Sequence, residues 1–109
     1  MLTMIGGNTT ATLQQKAGST GNAIGEKIQV WADAAILTGW LDLMNGDSKY
    51  TYNAKLQEST NIFICDYVPV DRKATDKRLV VNGMVYDVLL IDDPMEMHQQ
   101  LEIYLRYVG

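Results

Sequence analysis

The sequence predicts a mainly β fold: one small barrel or sandwich of about five to six antiparallel strands, with a long mobile loop and little helix. Three observations carry that expectation. Leu101, Ile103, Leu105 and Tyr107 alternate with Glu102, Tyr104 and Arg106, the period of a strand with one face inside. Asn82-Gly83 separates Leu79-Val80-Val81 from the β-rich run Met84 to Ile91, and Asn-Gly supplies the two positive-φ residues of a type I′ hairpin turn. The third is size: 109 residues, 47% of them hydrophobic, sustain one modest core and not two domains.

Residues 1–26 hold five of the nine glycines and offer only Thr10-Ala11-Thr12-Leu13 as a short strand. Glycine loses more backbone freedom on folding than other residues, so this segment is expected to stay flexible in a free subunit unless a neighbour orders it. From Lys27 to Met44 two periods compete. Ile28, Val30, Ala32, Ala34 and Ile36 alternate as in a long strand, whereas Ala34, Ala35, Leu37, Leu41 and Met44 would stripe a helix. Gly39 and the β-favouring Val30-Trp31 and Ile36-Leu37-Thr38 favour the strand. Asn45-Gly46-Asp47-Ser48 then opens a turn, and 45–58 reads as a long, polar hairpin loop. A strand over Ile62 to Val68 is ended by Pro69, and Asp71 to Lys77 carries five charges in seven residues as a solvated loop. Asp92-Asp93-Pro94 breaks the strand that follows the Asn-Gly turn, with a helix starting at Asp93-Pro94 as the competing reading. The last strand lies within Gln100 to Val108.

Charge and chemistry exclude more than they select. Nine Lys and Arg against thirteen Asp and Glu leave a net charge of −4. Such a chain does not gather phosphates in its own field, so no sequence-specific nucleic-acid binding is expected. The first seven residues lack a basic n-region, and no apolar run reaches the ~18 residues of a membrane span, so neither signal-peptide export nor a membrane partner is expected. Cys65 is the single cysteine and His98 the single histidine, which leaves no disulfide and no zinc ligand set; no cofactor and no catalytic residue is predicted. Cys65 reads as a core residue and His98 as an exposed polar one. Asp87, Asp92 and Asp93 would serve a small hydrolase only if they converged, and adjacent residues 92 and 93 of a strand face opposite ways. Tyr50, Tyr52 and Tyr67 with Lys49 and Lys55 would form a base-stacking platform, the alternative of a small β-barrel module binding an oligonucleotide. A fourteen-residue loop is longer than a simple connection needs, so an element that orders against another subunit fits its composition better. Trp31 and Trp40 are core or interface anchors.

In order along the chain, these pieces resemble the phage head-tail joining family, the head-closure or stopper proteins of tailed-phage necks, including members in defective prophage elements. The pieces are a Gly-rich start, Val30-Trp31-Ala32-Asp33, Asn45-Gly46-Asp47, Asn61-Ile62-Phe63-Ile64, Asp76-Lys77-Arg78 before Asn82-Gly83 and Tyr86 to Val88, Ile91 to Pro94, and Leu101 to Tyr104. Many members carry a basic Arg-Tyr pair where this chain has Cys65-Asp66-Tyr67. The resemblance implies a structural virion protein and not an enzyme, made in the host cytoplasm and ending in the virion neck. It would be a ring of about twelve copies, assembled from a subunit that is monomeric in isolation, that docks below the portal-bound adaptor protein and receives a tail-completion or tail-terminator protein. The ring would retain packaged DNA without reading its sequence. The resemblance also makes Gly46, Asp47, Ser48, Lys49, Tyr50, Tyr52 and Lys55 the channel or gating loop, with Trp31 and Trp40 as subunit contacts. Twelve copies at −4 each would carry about −48 charges, a lining along which DNA slides.

Overall fold

Alternation decides the architecture. In a computed structural model that describes residues 5–21, 24, 25, 27–43 and 59–109, six strands form: β1 (Thr9–Gly21), β2 (Lys27–Leu43), β3 (Asn61–Asp66), β4 (Lys77–Val81), β5 (Met84–Asp92) and β6 (Gln100–Tyr107). Every pairing is antiparallel, in the order β1-β2-β3-β6-β5-β4, and β4 pairs back onto β1 to close a small barrel. The mainly β expectation is therefore met, and closure removes the edges that an open sheet of this size would expose.

Every second residue turns inward. Leu13, Leu37, Phe63, Leu79, Leu101, Ile103 and Leu105 are fully buried, joined by Ala11, Cys65, Val81, Tyr86, Val88 and Ile91. The three-residue step from Val88 to Ile91 follows from a bulge. Val88 opposes Leu105 and Leu90 opposes Tyr104, so Leu89 is the extra residue. A barrel this narrow is filled by its own side chains and has no room for a channel along its axis.

Lys27–Leu43 is strand throughout, which settles the strand against the helix there. Asn82 (φ 51°) and Gly83 (φ 80°) make the expected tight turn between Val81 and Met84. The helix considered at Asp93-Pro94 is reduced to one 3-10 turn, Pro94–Glu96, with Met95 in left-handed backbone. Two strands run beyond their expected limits. β1 covers thirteen residues instead of four, because β2 offers it a continuous partner that local composition does not reveal. β4 begins at Lys77, whose side chain is buried instead of solvated. Its ammonium donates to Asp71 at 3.3 Å, to Asp76 at 3.1 Å and to the Lys73 carbonyl at 3.1 Å, which draws the charged loop closed around it. Val68, Val70 and Ala74 from the same connection pack on the core, so 67–76 caps that end of the barrel.

Gly39 marks the tightest approach. A Cβ there would overlap the Ile64 carbonyl and Cys65, and one on Gly7 would overlap Gly39 itself. The backbones of β3, β2 and the segment before β1 thus lie in direct contact, which two absent side chains permit.

Candidate docking surfaces

Two of the surfaces that turn apolar side chains to solvent are built on β2. The first is the outer face of β2, β3 and β6. Since Leu37 and Gly39 point inward, Ile36, Trp40 and Asp42 point out. The register sets Trp40 beside Ile64 and Glu102, and Asp42 beside Ile62 and Tyr104. Ile36 is 69% exposed and Trp40 46%. The Trp40 indole N–H donates to the Ile5 carbonyl at 3.2 Å, and the Ile5 and Gly6 amides donate to the Asp66 carboxylate at 2.6 and 3.3 Å. The outward charges Asp42, Asp66 and Glu102 are acidic, and Arg106 at the end of β6 is paired with Asp87 at 2.9 Å.

The second surface is an arm. β1 pairs with β4 only over Ala11 to Gln15, and β2 pairs with β3 only over Gly39 to Leu43. Beyond Lys16, β1 and β2 continue as a two-stranded ribbon with Ser19 opposite Gln29, Thr20 opposite Ile28 and Gly21 opposite Lys27. A bulge at Ala17-Gly18, with Gly18 at φ 115°, separates the ribbon from the barrel. Every described residue of 17–21 and 27–30 is exposed, including Ile28 (50%) and Val30 (36%), and Ile24 near the tip is 80% exposed. At the root, the Arg78 guanidinium lies 4.3 Å above the Trp31 ring and its Nε donates to Gln14 at 2.8 Å. Gln14 in turn donates to Asp33 at 2.9 Å. Beneath the arm, Lys16, Trp31, Lys77, Asp87, Leu89 and Arg106 line an open cavity of about 340 Å³.

The corner between β5 and β6 holds a titratable cluster that single-residue reasoning passed over. Asp93 is buried, its carboxylate meets the His98 ring Nδ1, accepts the His98 amide at 3.0 Å and lies 3.8 Å from Arg72. Burial pushes the Asp93 pKa up, but the His98 hydrogen bonds and the charges of His98 and Arg72 outweigh it and hold it below the usual carboxylate range. Tyr67 packs on His98 with ring centroids 4.7 Å apart. Met95, Glu96 and His98 all have positive φ, so the carboxylate closes a turn whose backbone non-glycine residues seldom adopt. The Asp-Pro pair signalled the turn, but only the fold showed that the carboxylate points in.

The chemistry expected of single residues follows from these positions. Cys65 is in the core, where burial and then the Asp66 charge push its thiol up to about 11, so it is no nucleophile at neutral pH. Asp87 is paired to Arg106, Asp92 sits opposite Glu102, and Asp93 belongs to the His98 corner, so the three do not converge. Among the described residues no group of His, Cys, Asp or Glu could hold a metal, and no helix is long and apolar enough to cross a membrane. Tyr67 follows the end of β3 opposite to the one that 44–58 joins. Gly46, Asp47, Ser48, Lys49, Tyr50, Tyr52 and Lys55 lie outside the described residues. The ends of their segment are fixed, since Leu43 pairs with Asn61 and the connection therefore leaves and re-enters the barrel at one point. Trp31 is half-buried at the arm root and Trp40 lies on the outer face, so the two tryptophans belong to different surfaces.

The chain is a small, filled, closed β sheet with an arm at one end and a long connection at the other. The family model for phage head completion proteins matches residues 7–106. The chain belongs to that family. Head completion proteins are structural components of the phage head, which agrees with the head-closure resemblance. No curated protein matches the chain. Among solved structures, the solution structure of protein SF1141 from Shigella flexneri 2a is similar, with a TM-score of 0.69 and 18% identity over 96% of each chain. That likeness concerns the fold.

Proposed function

We propose that this head completion protein is the head-closure subunit of a tailed-phage or prophage neck, a ring that docks below the portal-bound adaptor, retains packaged DNA and offers the surface on which the tail is completed. The observation that carries this reading is the family match over residues 7–106. The geometry supports it. Because each barrel is filled, a DNA channel has to form between copies, around an axis outside every subunit. Trp40, Ile36 and the arm keep apolar side chains in water on an isolated subunit, as surfaces awaiting a partner do. The connection 44–58, with both ends at one point of the barrel, is long enough to reach from a ring wall toward its axis and act as the gate. The chain's net charge of −4 makes such a lining slippery for DNA.

The test is a double substitution in that connection. Tyr50→Ser with Tyr52→Ser is expected to leave the Tm of the purified subunit unchanged and the ring assembled, while packaged heads lose DNA and sediment as empty shells. Heads that stay full would end the gating role, and a subunit that no longer folds would show that these tyrosines belong to its core.

A further inference from the structure

The arm poses a physical problem that the rest of the chain does not solve. A two-stranded ribbon with no third strand and no packed face is marginal in water, yet this one extends about 17 Å past the barrel over Ala17–Gly21. Its backbone edges are open on both sides beyond Lys16, since neither β3 nor β4 reaches it. Ile28 and Val30 share one side of β2 there and are exposed.

Charge separates the arm from the outer face. Among the described residues of the arm beyond Lys16 the one charge is Lys27; Glu26 lies outside the described residues. The outer face of β2, β3 and β6 carries the apolar Ile36, Trp40 and Ile64 among the acidic Asp42, Asp66 and Glu102. One surface is apolar with the exposed Lys27 at its edge, the other apolar and acidic, and a single strand, β2, supplies its N-terminal half to the first and its C-terminal half to the second.

We infer that the arm docks on the β2–β3–β6 outer face of a second copy of this chain, Ile28 and Val30 against Trp40 and Ile64, with Lys27 reaching round the open ribbon edge to Asp42 and Glu102. This rests on the reading of the chain as an assembling neck subunit and names the two surfaces that the assembly uses. The contact is heterologous, so each copy gives one arm and receives one, and repetition yields a closed ring when the rotation permits. Docking supplies the packed face that the ribbon lacks and covers the exposed Trp40 ring of the barrel wall in one step.

Complementary charge reversal tests this, scored on heads made without the chain and supplied with purified protein. Copies per head are counted by quantitative mass spectrometry. Lys27→Glu and Asp42→Lys are each expected to lower loading at least tenfold with the Tm of the free subunit unchanged, because like charges then face each other at every contact. A 1:1 mixture of the two variants is expected to load within about twofold of the wild type, since each variant's arm meets the other's face with opposite charge. Single variants that load as the wild type does, or a mixture as poor as its components, would overturn the inference while leaving the ring reading intact. Variants that load normally but fail to recruit tails would also overturn it, by assigning the arm to a tail protein. Wild-type protein that does not load at all would instead end the neck reading on which the inference stands.

Discussion

At Gly39 the missing side chain matters more than any present one. The Ile64 carbonyl and the backbone at Gly7 occupy the space on either side of it, and its φ is ordinary, so the constraint is contact and not conformation. Gly39→Ala therefore has to push two backbones apart, and we expect a loss of about 1–3 kcal/mol, read as a Tm lowered by several degrees. Gly25, with open space around its Cβ direction, has no such neighbour. Asp93 is the opposite case, a side chain whose charge organises a turn. Its pKa lies below the ordinary value of 3.8, so its contribution is complete above that value and is lost as the pH falls through the folded-state pKa. The Tm is expected to fall as the pH drops from about 6 to about 3, and Asp93→Asn should start lower at pH 6 and fall less. Parallel curves for the two proteins would show that the corner carries none of the acid sensitivity. Asp71, held low first by the Lys73 amide and then by the Lys77 ammonium, keeps some of the slope in the variant.

Among the elements, β1 and β2 stand apart because each belongs to two environments. Over Ala11 and Leu13, β1 has neighbours on both sides and a buried face; over Ala17–Gly21 it has β2 alone and water on both faces. The two halves should open with different free energies. In hydrogen exchange on the isolated subunit, the amides of 17–21 and 27–30 are expected to exchange at least a hundredfold faster than those of β3 and β6. Equal protection would mean that the ribbon is held by its own chain or by self-association. Residues 17–21 lie in the segment 1–26 whose glycines predict flexibility, and their exchange rates test that expectation there. β4 shows how an element can begin earlier than its apolar residues suggest. Lys77 reads as one more charge in a charged run, yet three oxygen partners let it be buried at the start of a strand.

For the whole molecule, closure of the sheet is what makes the functional reading coherent. Six strands with a filled interior form a brick and not a tube, so in the proposed ring the DNA channel lies between copies. The Asn82-Gly83 hairpin, the alternation of β6, the long β2 and the single-domain scale were legible in the sequence, because each is set by residues adjacent along the chain. The same holds for the family resemblance and for the net charge, which depend on the order and kinds of residues alone. Closure through β4 on β1, the arm beyond Lys16, the pairing of Trp40 with an acidic outer face and the inward turn of Asp93 were not legible. Each depends on which strand end meets which, across separations such as Leu13 to Leu79 and Trp40 to Ile64. Local preference determines where a strand can form and which way its side chains alternate; only tertiary pairing decides where that strand loses its last neighbour and its edge is left open.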